Sequence, residues 1–150
     1  MPKIEHIMAA TDFSHDANRA LTMAAQLARA FSARLTIFHV VQMPTYAFFG
    51  GGVFVPSPEL TTEIMNDAKR WLAAAKERLS GLAVETVCLD GDPAGLIVRW
   101  AEEHKPDLIV LGTHGRRGLR RLILGSVAEH VVRAASSPVM TVRDQEQTPA

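Results

Sequence analysis

The chain has 150 residues, 47% of them hydrophobic and 21% charged, a length and composition expected of one domain spanning 1–150. Sixteen basic and sixteen acidic side chains cancel, so no net field draws it to nucleic acid or an anionic membrane. The lone cysteine, Cys88, excludes an internal disulfide and a cysteine-rich zinc site, and it is expected as a small buried thiol.

No apolar run reaches the ~20 residues of a membrane span. The N-terminus has no charged-then-apolar secretory pattern, so the cytoplasm is the expected compartment. Along the chain, apolar runs alternate with helical patterns, the mark of parallel βαβ units. Ile4 to Ala10 reads as a first strand. Ser14 can cap the next helix, whose stripe is Ala17, Ala20, Leu21, Ala24, Ala28 and Phe31. Arg34 to Val41 reads as a second strand. The segment Met43 to Pro58 breaks the regularity with Gly50-Gly51-Gly52 between apolar residues. It is either a loop packed on the core or a lid or partner surface.

Leu60, Ile64, Ala68, Trp71, Leu72, Ala75 and Leu79 mark one face of a long second helix, with Gly81 placed to end it. Val84 to Leu89 is a third strand. Asp92 as N-cap and Pro93 at the first helical position start a helix that stops before Pro106. Asp107 to Leu111 has the apolar character of a central strand. Ser126 and Glu129 have capping-box spacing, so a fourth helix is expected there. Pro138 to Val142 is a short last strand.

Five strands and four helices in this order predict an α/β, doubly wound five-stranded parallel sheet, order 3-2-1-4-5, with helices on both faces. Ligands of such sheets bind at the carboxyl ends of the strands flanking the topological switch. Those ends are Ala10-Thr11-Asp12 and Gly112-Thr113. After the fourth strand come Gly112-Thr113-His114-Gly115, then nine residues, then Gly125-Ser126 at a helix start. Glycines let a ligand approach the backbone, and a helix N-terminus offers free N–H groups to phosphate. Arg116, Arg117, Arg120 and Arg121 can add attraction.

Each feature has a plainer reading. The glycines can simply shape a turn, Ser126 can be spent on its cap, and the arginines can be a solvated face. Asp12 can bind ribose hydroxyls or Mg²⁺, or it can accept backbone N–H groups of its own loop. Of six histidines, only His114 lies in the glycine segment, where it can meet phosphate or ribose. There is no Walker loop, no dinucleotide fingerprint after the first strand, no zinc-protease pattern and no nucleophile elbow. Binding is therefore better supported than catalysis.

The spacing Gly112-x2-Gly115-x9-Gly125-Ser126 resembles the signature of the ATP-binding branch of universal stress proteins. The opening Ile7 to Ser14 and the stretch Val127 to Val139 are similar to that family too. The resemblance implies an adenine nucleotide (ATP, or ADP or AMP) with Mg²⁺. It places Asp12 by ribose and metal-bound phosphates, Val40 and Val41 against adenine, Gly112 and Gly115 by ribose and phosphates, and Gly125, Ser126 and Val127 on the phosphates. Ala10, Thr11, Thr113, His114 and Arg116 complete the expected site, with Asp12 as the metal ligand. It also implies a homodimer through the edge strand Val139–Val142, and a role in stress regulation with slow or no hydrolysis. Two alternatives stand beside this: a slow ATPase or adenylyl-transferring enzyme, and a dimeric interaction module with a degenerate nucleotide site.

Overall fold

In the computed structural model, residues 2–47, 50–114 and 124–143 are described. The elements are β1 (His6–Ala10), α1 (His15–Phe31), β2 (Arg34–Val41), β3 (Tyr46–Ala47), β4 (Val53–Phe54), α2 (Pro58–Glu77), β5 (Val84–Asp90), α3 (Pro93–His104), β6 (Leu108–Gly112), α4 (Ser126–Ala134) and β7 (Val139–Val142). The main sheet runs β5-β2-β1-β6-β7, and every pairing in it is parallel. This is the expected 3-2-1-4-5 order, with the switch between β1 and β6. The irregular segment contributes a separate antiparallel hairpin, β3–β4, with Gly50 and Gly51 at positive φ in its turn. Val53 and Val55 on it are exposed and Phe54 is half-buried, whereas Phe48 and Phe49 lie outside the described residues.

Period-two alternation divides the strand side chains between two cores. Met8, Ala10, Phe38, Val40, Ile109 and Leu111 meet α3 and α4 through Ile97, Trp100, Ala101, Ala128 and Val131. Ile7, Ala9, Leu35, Leu108 and Val110 meet the alanine face of α1, built of Ala20, Ala24, Ala25 and Ala28. Those small side chains bring α1 close to the sheet, which matters for the site.

The helix starts follow capping chemistry. Ser14, Ser57 and Asp92 each accept an N–H of the first turn, and α2 and α3 carry proline there. Ser57-Pro58 starts α2 two residues ahead of Leu60, the first residue of its apolar face. The helix ends at Glu77, and Gly81, at φ +83°, makes the turn beyond it.

Four expectations are corrected. Phe31 and Trp71, which fall on the expected apolar stripes, are 45% and 50% exposed, because α1 and α2 bury mainly their small residues and Leu72. Cys88 is half-buried, since β5 is an edge strand with one neighbour. Ser126 is not the cap of α4: Gly125 is, with no side-chain cap bond, and Glu129 pairs instead with Arg133 at 2.8 Å.

Candidate functional site

The crevice opens where β1 and β6 end side by side, with Ile7, Met8 and Ala9 paired to Leu108, Ile109 and Val110. Beyond β1 the backbone turns sharply. Thr11 donates its N–H to the Phe38 carbonyl at 2.9 Å, and its Oγ1 accepts the Phe13 N–H at 3.0 Å. Asp12 Oδ1 accepts the Ser14 N–H at 2.9 Å. Those bonds hold Phe13 at φ +61°, a left-handed conformation that costs a non-glycine residue on the order of 1 kcal/mol. Its ring is seated on His39 (centroids 4.7 Å apart) and Trp71 (5.4 Å). The plainer reading of Asp12, a carboxylate binding its own loop, therefore holds.

Val40 and Val41, at the end of β2, are buried, so what they can offer the crevice is backbone. The Val41 carbonyl already accepts the Gly91 N–H at 3.0 Å. His39 Nδ1 lies 2.7 Å from the Thr11 carbonyl and ties the ends of β1 and β2 together.

On the β6 side, Gly112 faces α1. A Cβ there would stand 2.9 Å from both the carbonyl carbon and the Cβ of Asp16, and 3.0 Å from the Ala17 nitrogen. Close helix packing thus demands glycine at this position whether or not a ligand is bound. Thr113 is buried, and its backbone is used on both sides: its N–H goes to Val142 (3.1 Å) and its carbonyl accepts from Gly125 (2.6 Å). A Cβ on Gly125 would stand 2.8 Å from that same carbonyl, which explains the second glycine. Gly125 has no side chain to cap α4, so the N–H groups of Ser126 and Val127 in its first turn have no intrahelical acceptor.

Sequence reasoning missed Asp16. In the first turn of α1, its Oδ2 lies 3.1 Å from Thr113 Oγ1, 3.2 Å from the His114 backbone nitrogen and 3.3 Å from His114 Nδ1. His114 Nε2 is buried with no hydrogen-bond partner among the described residues. The only available signal was an acidic residue in a helix's first turn, which is ordinarily explained by the helix dipole. Gly115 and Arg116, with Arg117, Arg120 and Arg121, lie outside the described residues.

The fold therefore gathers Ala10, Thr11 and Asp12 near Gly112, Thr113 and His114, and brings Gly125 against Thr113. A groove of about 540 Å³ lies elsewhere, between α1 and α2, lined by Phe13, Leu21, Trp71 and Leu79 among others. None of the residues expected to bind the nucleotide lines it. Among the described residues no three His, Cys, Asp or Glu gather as a metal site, and no helix is long and apolar enough to cross a membrane.

The family model described as "Universal stress protein family" matches residues 3–143. The chain belongs to the universal stress protein family. This family member is 34% identical over 140 residues to a universal stress protein of Methanocaldococcus jannaschii, covering 91% of this chain and 81% of that one. It is also 34% identical over 144 residues to the universal stress protein YxiE of Bacillus subtilis, covering 91% and 97%. Among solved structures, it is similar to universal stress protein UspA of Lactobacillus plantarum (TM-score 0.78, 27% identity, 95% of this chain and 100% of that one). It is also similar to a universal stress protein in complex with cAMP (TM-score 0.63, 26% identity, 95% and 98%).

Proposed function

We propose that this universal stress protein is a single-domain, cytoplasmic stress regulator that binds an adenine nucleotide, with ATP and Mg²⁺ as the leading ligand, in the crevice at the switch point. The observation that carries this reading is the side-chain-uncapped N-terminus of α4 held against Thr113 and His114 at the end of β6, next to the β1 end that Asp12 follows. Phosphate oxygens suit the N–H groups of Ser126 and Val127 and the positive end of the α4 dipole. The Asp12 carboxylate suits ribose or a hard cation. A bound Mg²⁺ would take Asp12 as its protein ligand and complete its shell with phosphate and water. That the 26%-identical structure was determined with cAMP supports an adenine ligand.

The test is calorimetric titration of the nucleotide-stripped protein with ATP and Mg²⁺, and with ADP, AMP and cAMP, repeated on Gly115→Val. Micromolar binding, weakened by more than about 1 kcal/mol in the variant, is expected because a branched side chain would intrude on the phosphates. Wild-type protein that binds none of these nucleotides would overturn the reading. Unchanged affinity in the variant would remove Gly115 from the site.

A homodimer through β7 accompanies this reading. β7 pairs with β6 on one side only, and Val139, Met140 and Val142 are half-buried. Since Pro138 and Val142 direct their carbonyls to β6, strand alternation turns the backbone of Val139 and Thr141 outward. Thr141→Pro would delete an outward N–H while sparing the β6 ladder. Light scattering should show this variant as a folded monomer; a persisting dimer would place the interface elsewhere.

A further inference from the structure

Asp16 is tied to the candidate site by three donors that converge on one oxygen. The Thr113 hydroxyl, the His114 backbone N–H and His114 Nδ1 all lie within 3.3 Å of Oδ2. The backbone bond is unambiguous, because an amide can only donate. The ring is decided by its surroundings. A bare Nδ1 would aim its lone pair at a carboxylate oxygen 3.3 Å away, while a protonated Nδ1 finds acceptors in that oxygen and in Thr113 Oγ1 at 3.0 Å. Nδ1 therefore carries the hydrogen. In the neutral ring Nε2 is then a bare acceptor, and it is buried without a partner among the described residues. A buried acceptor left unpaired is a standing cost, which a ligand donor would recover.

We propose that Asp16 is a positioning residue that fixes His114 in the Nδ1–H tautomer, so that Nε2 accepts a hydrogen bond from a ribose hydroxyl of the bound nucleotide. The tautomer belongs to this chain alone, whereas the hydroxyl rests on the nucleotide reading above. A neutral Nε2 is the wrong partner for a phosphate oxygen, as both would be acceptors. It is the right partner for a hydroxyl. Asp16 does not itself touch the ligand. It acts through the ring and through the backbone of 113–114.

Two measurements on the full chain decide this. Nitrogen-15 shifts of the His114 ring, at a pH where it is neutral, should report Nδ1–H in the wild type and mainly Nε2–H in Asp16→Ala. Asp16→Asn, which keeps an acceptor oxygen, should restore Nδ1–H and covers the case in which the alanine variant is unfolded. Titration with ATP and with 2′,3′-dideoxy-ATP should show about tenfold weaker binding of the dideoxy ligand to wild type, the loss expected for one hydrogen bond. That ratio should be clearly smaller in Asp16→Ala and in His114→Phe than in wild type. Wild-type Nε2–H, or Nδ1–H persisting in folded Asp16→Ala, overturns the positioning role. Equal binding of the two ligands to wild type overturns the ribose assignment. If no nucleotide binds, the proposed function falls together with its hydroxyl, while the nitrogen shifts still decide the role of Asp16.

Discussion

Gly112 offers a sharp test of why a glycine stands at the end of β6. Adding a single methyl group, in Gly112→Ala, would place a carbon 2.9 Å from the carbonyl carbon and Cβ of Asp16 and 3.0 Å from the Ala17 nitrogen. Two of these atoms are backbone and the third is fixed to it, so no side-chain rotation relieves the contact. The first turn of α1 and the end of β6 must move apart by several tenths of an ångström. That shift stretches the Asp16 bonds to Thr113 and His114, already 3.1 and 3.2 Å long. Overpacking of this kind costs roughly 1–3 kcal/mol. Replacing glycine by alanine returns about 0.4–1 kcal/mol by restricting the unfolded chain. The net is a destabilisation of about 1 kcal/mol, or roughly 2–4 °C in Tm for a chain of this size. Urea and thermal unfolding of ligand-free protein measure it directly. A variant as stable as wild type would refute the argument that α1 packing is what demands glycine here.

Two further predictions concern the body of the fold. His6 is buried, its Nε2 2.8 Å from the Thr36 hydroxyl, which in turn donates to Glu85 at 2.6 Å, while Nδ1 has no partner among the described residues. Burial, chiefly, holds its imidazole below the ordinary histidine range; Arg34 and His104 push the same way, and Glu85 and Asp107 oppose them. The native state thus binds fewer protons than the unfolded chain. Its stability is complete above the unfolded value of about 6.5 and declines as pH falls toward the lower native value. His6→Gln keeps a donor for Thr36 without titrating, so the loss of Tm between roughly pH 7.5 and 5.5 should be smaller than in wild type. An undiminished loss would move the effect to other groups. Phe38 is fully buried, its ring 5.5 Å from that of Trp100. Phe38→Ala should cost about 3–5 kcal/mol in urea unfolding, and a cost under about 1 kcal/mol would mean that the core recloses around the gap.

Much of the architecture is legible in the chain because local chemistry and periodicity agree there. Arg34 to Val41 forms a strand over the full expected range, and Asp92-Pro93 starts α3 where its capping chemistry requires. The order of the sheet follows from alternating strands and helices together with the handedness of crossovers. The same logic locates the crevice, since it follows from strand order rather than from any particular side chain. It could not rank the residues within one pattern. Phe31 and Trp71 fit helical stripes as well as Ala28 and Leu72 do, and only packing shows that alanine is the residue brought close to the sheet.

The choice among open readings belonged to tertiary structure. Ser126 and Glu129 have capping-box spacing, yet Gly125 takes the cap, because its N–H must reach the Thr113 carbonyl at 2.6 Å. Gly112 is explained by α1, an element nearly a hundred residues away in sequence, and Asp16 becomes part of the site by the same approach. Spacing along the chain determined the elements, their order and the place of the crevice, since these depend on neighbours a few residues apart. Which groups meet there, and in what protonation state, depends on distances between segments remote in sequence, and only the packed fold sets those.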